Sequence, residues 1–194
     1  LFGIRRVLGA MCFVCINRLE PGRIRHTACG NIVMGEANPG MTPRLEELVK
    51  IFENAKVKSS AVEDFGEAQW RKLVWNIPFN GLCITEGGID TGTLLAMPDG
   101  GKRVRELMHE VTRIAGALGY EIEDEYIDFQ IERTYPMEDY KPSSMLDYVN
   151  GNPVEIEAIW GEPWRRAQEA GVDSPNLTIL YGLIKSMVAS RVSH

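Results

Sequence analysis

The sequence predicts a mainly helical body preceded by a short β-rich segment. Three observations carry that prediction. Strand-like apolar runs and turn signals are confined to residues 1–62. Beyond residue 63, apolar residues recur at helical spacing. Capping and stop residues bracket the helical stretches.

Within the first segment, residues 7–16 form an apolar run suited to a strand, and Pro21-Gly22 signals a turn. Residues 23–27 alternate polar and apolar as a half-buried strand does, and residues 31–35 suggest a third short strand. After a second turn at Asn38-Pro39-Gly40, Thr42 is placed to cap a helix. Pro43 takes its first position, and Glu46 and Glu47 lie in its first turn. Leu45, Leu48, Val49 and Phe52 mark the apolar face of that helix, and residues 56–62 suggest one more strand. From there the predicted elements are helices: 65–82, 94–97, 102–118, 124–133, 143–149, 155–170 and 175–190. The helix over 102–118 has the clearest period, with Val104, Leu107, Met108, Val111, Ile114 and Ala115 on one face and Gly119 as its stop.

The chain has 194 residues, 44% of them apolar and 25% charged, which suits a globular domain with a real core. Its net charge of −6 disfavours nucleic acid and anionic membranes as partners, since both reward a basic surface, but leaves room for a small anionic substrate. No stretch approaches the roughly 20 apolar residues of a membrane span. Residues 1–6 do not lead into a signal-peptide core. The chain begins at Leu1 and enters a strand almost at once, so sequence upstream of it is expected to be missing. Cys12 and Cys15 form a C-x-x-C within a β run. Alternation puts them on opposite faces, so the four cysteines, with Cys29 and Cys83, are expected to be buried thiols rather than metal ligands, which points to the cytoplasm. There is no G-x-G-x-x-G, and Gly87-Gly88 and Gly100-Gly101 lack its spacing.

Chemistry-bearing residues gather in three segments. In residues 70–80, Lys72, Asn76 and Asn80 stand at i, i+4 and i+8. With ~100° per residue, they make one polar stripe along an otherwise apolar helix. Such a stripe can cap neighbouring loops while the lysine reaches solvent. It can equally form a binding face, in which the ammonium attracts a carboxylate or donates a proton and the amides set orientation. Pro78 interrupts the helix between the two asparagines or merely bends it. In residues 142–148, Ser143 and Ser144 open a helix as a cap or offer hydroxyls to a ligand. In residues 151–157, Glu155 and Glu157 sit where a helix macrodipole favours carboxylates. Trp160 and Trp164 fit a core better than a stacking platform.

These segments, in this order, resemble the ketopantoate reductase family. The chain carries Trp70-x-Lys72-Leu73-x-x-Asn76-x-x-x-Asn80, then Ser143-Ser144-Met145-Leu146, then Gly151-x-Pro153-x-Glu155-Ile156-Glu157, and then Ala167-x-x-x-Gly171-Val172-x-x-Pro175 before an apolar helix. Residues 7–36 are similar to the last strands of the family's nucleotide domain. The sequence departs from the family pattern at Gly81, where Pro is frequent, at Glu157, where Asp is commoner, and by one residue fewer between Ser144 and Glu155.

The resemblance implies a Rossmann-type α/β remnant over residues 1–62 and a helical substrate-binding and dimerisation domain over 63–194, of the dehydrogenase C-terminal-domain-like kind. It implies NADPH-dependent reduction of ketopantoate to pantoate, a step toward pantothenate and coenzyme A, by a homodimer, and the charge and cysteine placement add the cytoplasm as its place, with no nucleic acid, membrane or metal as partner. By the same resemblance, Lys72 is the general acid, Asn76, Asn80 and Ser144 hold the substrate, and Glu155 supports catalysis at the junction with the cofactor. The chain by itself, without the glycine-rich cofactor motif, is expected to bind NADPH poorly and turn over little. A relative acting on another branched 2-oxo acid, or a non-catalytic helical interaction domain, are the other readings.

Overall fold

A computed structural model describes residues 3–192, apart from the side chains at positions 15, 17, 18, 27, 28 and 192. The chain divides into two compact units, Leu1–Gln69 and Trp70–His194.

The first unit holds a three-stranded sheet in the order β1-β2-β3. Strand β1 (Leu8–Glu20) and β2 (Arg23–Glu36) form a long antiparallel hairpin running from Leu8↔Glu36 to Glu20↔Arg23. Pro21 and Gly22 turn it, and Gly22 at φ +79° occupies the position where a type II turn needs glycine. The two short strands expected at 23–27 and 31–35 are one strand. The gap between them is a bulge: pairing slips between Phe13 and Val14, where Cys29 (φ +62°) and Gly30 (φ +128°) take left-handed conformations. From β2 the chain crosses through α1 (Pro43–Asn54) to β3 (Lys58–Ala61), which pairs parallel with β2. The remnant is thus a mixed sheet. Thr42 caps α1 as anticipated, its hydroxyl accepting from the Leu45 N–H.

Two of the cysteines depart from expectation. Cys12 and Cys29 lie exposed on the hairpin, Cys29 at the bulge and beyond the stretch of β2 that β3 pairs. Cys83 is buried as expected, and that burial pushes its thiol up to about 12. The side chain of Cys15 lies outside the described residues.

The second unit is helical. Its elements are α2 (Phe65–Thr85, which begins before the division), α3 (Thr91–Ala96), α4 (Gly100–Ala117), α5 (Asp124–Glu132), α6 (Ser143–Asn150), α7 (Glu162–Glu169) and α8 (Pro175–Val192). The core is built around α2, whose residues from Ile77 to Ile84 are all buried, Pro78 included. The proline is accommodated within a continuous helix. Gly81 allows a close approach: a Cβ there would lie 2.6 Å from Leu180 Cδ2 and 2.9 Å from Trp160 Nε1. Trp160 is buried and donates its indole N–H to the Ile77 carbonyl at 3.0 Å, joining the segment ahead of α7 to α2. The predicted apolar face of α4 is buried throughout, and so is Glu110 on the same helix. The Glu110 carboxylate accepts from the Asn176 N–H (3.0 Å), the Asn176 amide (2.8 Å) and the Leu177 N–H (2.8 Å), so a side chain from α4 caps α8. No described helix is long and apolar enough to cross a membrane.

Candidate active site

The stripe on α2 descends from the surface into the core. Lys72 and Asn76 are half-buried, whereas Asn80 is 1% exposed. Both ends of the Asn80 amide are engaged by backbone. Its Nδ2 donates to the Asn76 carbonyl at 3.1 Å, and its Oδ1 accepts from the Ser144 N–H at 2.9 Å. That second bond explains how α6 begins. Pro142 holds the N-cap position and offers no side-chain cap, and neither serine caps the helix as the sequence suggested. Asn80, 64 residues earlier, supplies the acceptor instead. Ser144 is buried beside it. Near the stripe, the Trp75 ring stacks on Phe79 at 4.8 Å and its N–H donates to Thr134 Oγ1 at 2.8 Å, which stiffens the stretch between Lys72 and Asn80.

The third segment is built differently. Gly151, in the left-handed conformation (φ +75°), ends α6. The helix expected from residue 155 opens as a π-turn over Glu157–Gly161 before α7. Glu155 stands just ahead of that turn, exposed, its carbonyl accepting from the Ile159 N–H at 3.1 Å. It lines an open groove of about 570 Å³ with Val154, Ile156, Glu157 and, from α8, Lys185 and Val188. The Glu157 carboxylate accepts from Arg165 at 2.7 Å and from the Tyr181 hydroxyl at 2.7 Å, and these bonds, Arg165 first, hold it below the usual carboxylate range. Arg165 also reaches Glu162 at 3.2 Å.

The structure therefore brings Asn80 and Ser144 together, with Lys72 and Asn76 on the same helix. Glu155 belongs to a groove that Lys72, Asn76, Asn80 and Ser144 do not line. Sequence reading missed the partners of Glu157, because Tyr181 lies 24 positions away and follows no local spacing rule.

One helix N-terminus of the first unit is already engaged by the chain itself. The turn between β2 and α1, where an α/β unit would place a nucleotide diphosphate on the helix N-terminus, already holds a carboxylate. Glu36 accepts from the Thr42 hydroxyl and from Arg44, with Arg44 Nε at 2.8 Å, and is held at about 2 by those bonds, Arg44 first. A diphosphate there would face a fixed negative charge.

Comparison with known proteins agrees with this architecture. Residues 64–188 match the family described as "Ketopantoate reductase PanE/ApbA C terminal". A 2-dehydropantoate 2-reductase from Nostoc sp. is 36% identical over 92% of this chain and 57% of its own length. The crystal structure of 2-dehydropantoate 2-reductase from Geobacter metallireducens superposes with a TM-score of 0.91 and 40% identity, covering 95% of this chain and 62% of that one. D-mandelate dehydrogenase, in complex with NADH, shares the fold at 18% identity, with a TM-score of 0.87 over 97% of this chain and 64% of that one. The chain thus spans about three fifths of the length of such relatives. With its helical unit matched by the family's C-terminal description and the relatives aligning across both units, the chain belongs to the ketopantoate reductase family.

Proposed function

We propose that this chain is the substrate-binding part of an NADPH-dependent reductase that converts ketopantoate to pantoate, in the cytoplasm, on the route to pantothenate and coenzyme A. The observation that carries the reading is the 2.9 Å bond from the Ser144 N–H to Asn80, which joins two of the three motif segments, on a helix that also carries the half-buried Lys72. In this reading residues 1–62 belong to the nucleotide domain and residues 63–194 form the substrate and dimer domain. The ammonium of Lys72 attracts the 2-oxo acid's carboxylate and passes its proton to the keto oxygen as that oxygen gains charge. Asn76 and the Ser144 hydroxyl hold the substrate's polar groups, and Asn80 fixes Ser144 while completing the ridge. Glu155 acts from the groove, on the cofactor's side. NADPH, when bound, supplies the hydride. The exposed Ile179 and Leu183 on α8 give a homodimer an apolar surface to cover.

Lys72→Ala in the full-length protein tests the reading. Loss of the proton donor should lower kcat by about 10²–10⁴-fold, measured by NADPH oxidation with ketopantoate. Unchanged turnover would make Lys72 scaffold and leave a non-catalytic domain. Running the same assay over a panel of branched and aryl 2-oxo acids separates ketopantoate from neighbouring substrates.

A further inference from the structure

The π-turn ahead of α7 has no part in the roles assigned above, yet it carries a closed set of contacts. A π-turn is a rare, widened helical turn that needs support from outside itself. Here the support converges on Glu157, the first residue of the turn. Its carboxylate folds back over the turn's last residue, Gly161, where a Cβ would lie 2.5 Å from Glu157 Oε2 and 3.1 Å from the Tyr181 hydroxyl. Only a residue without a side chain lets the carboxylate take that seat. Tyr181, in the middle of α8, donates to one carboxylate oxygen, and Arg165 of α7 donates to the other. The Tyr181 ring is itself held between Trp164, with centroids 5.7 Å apart, and Lys185, whose Nζ lies 4.9 Å from the ring centroid. The turn is thereby tied to both helices that flank it.

Glu155 is two residues upstream and opens into the same groove. Its side chain makes no hydrogen bond among those described, while its carbonyl is bonded to the Ile159 N–H inside the turn. The position of the Glu155 carboxylate therefore depends on where the turn lies. Resting on the role given to Glu155 above, we propose that Glu157, Tyr181 and Arg165 form a positioning clamp that sets the π-turn against α7 and α8 and so aims Glu155 into its groove. These are positioning residues: they act through Glu155 and touch no reacting atom. A misplacement of about 1 Å at a catalytic group is enough to cost up to about a hundredfold in rate.

The test compares Glu155→Gln, Glu157→Gln, Tyr181→Phe and Arg165→Lys in the full-length protein by steady-state kinetics with ketopantoate and NADPH. Hydrogen exchange of the amides over 157–161 is followed in parallel. Tyr181→Phe removes one hydroxyl and keeps the buried ring, so it folds even where a charge change does not. The clamp predicts that Glu157→Gln and Tyr181→Phe lower kcat about tenfold, with KM for ketopantoate within about threefold and an unchanged melting temperature. Exchange over the turn should quicken. Arg165→Lys, which keeps the charge, should lower kcat less than Glu157→Gln does. A fall in Glu155→Gln with normal kcat in both Glu157→Gln and Tyr181→Phe overturns the clamp alone. Normal kcat in Glu155→Gln overturns the role of Glu155 and the clamp's purpose with it.

Discussion

The two regions that carry the candidate site residues are built in opposite ways. Along α2, the polar groups are part of the core: Asn80 is 1% exposed and both of its amide ends satisfy backbone atoms. Around Glu155 and Glu157 the carboxylates stand at the surface, and Glu157 is held by an ion pair with the exposed Arg165 and by the Tyr181 hydroxyl. The difference is energetic. A buried polar group left without its partner loses its full solvation, whereas an exposed ion pair exchanges one hydrogen-bonding partner for water at little net change. Substitutions along the ridge should therefore disturb folding and function together, and substitutions in the groove should separate them.

The largest effect expected from this contrast lies at Glu110, the most buried carboxylate on the core side. Removing it in Glu110→Ala strips the acceptor from the Asn176 and Leu177 amides, at about 3 kcal/mol in total, and chemical denaturation should show it as a lower midpoint with an unchanged slope. A loss well under 1 kcal/mol would show that the core tolerates the orphaned amides. Next comes Asn80→Ala, which orphans the buried Ser144 N–H and should cost about 1–3 kcal/mol. An Asn80 variant that loses activity at full stability would instead show that the amide serves the ligand more than the fold. Smaller again is Gly81→Ala. The new Cβ presses on Leu180 and Trp160, an overpacking of about 1–3 kcal/mol, and the better helix propensity of alanine returns up to about 1 kcal/mol. A melting curve for this variant at or above that of the parent would show that α8 shifts freely. The smallest effect concerns Glu36. Its carboxyl is depressed from 4.5 to about 2 by Arg44 and Thr42, so the stabilisation it provides is complete above pH 4.5 and fades as pH falls toward 2. The stability gap between the parent and Glu36→Gln should therefore close across that interval, and a gap independent of pH would remove Glu36 as its source.

Much of the helical body was legible because its determinants are local. The apolar period of residues 104–115 marked the buried face of α4, Thr42 with Pro43 marked the start of α1, and Pro21-Gly22 marked the hairpin turn. For the hairpin, alternation along the sequence suggests three strands rather than two, since a bulge at Cys29 and Gly30 interrupts the alternation without interrupting the strand. Ser143 and Ser144 suggest caps because serine near a helix start usually is one, and the actual acceptor comes from Asn80.

By itself, then, the sequence determined what neighbouring residues decide among themselves: periodicity, turn chemistry, the order of the motifs and the single stripe of Lys72, Asn76 and Asn80. Tertiary structure alone decided which of those polar groups the fold consumes. Whether Asn80 meets a ligand or a helix end, whether Glu110 lies in water or under α8, and whether Glu157 meets Tyr181 each depend on donors brought in from 24 to 67 positions away. Hydrogen bonds are satisfied in space, by whichever donor packing delivers, and no spacing along the chain encodes that.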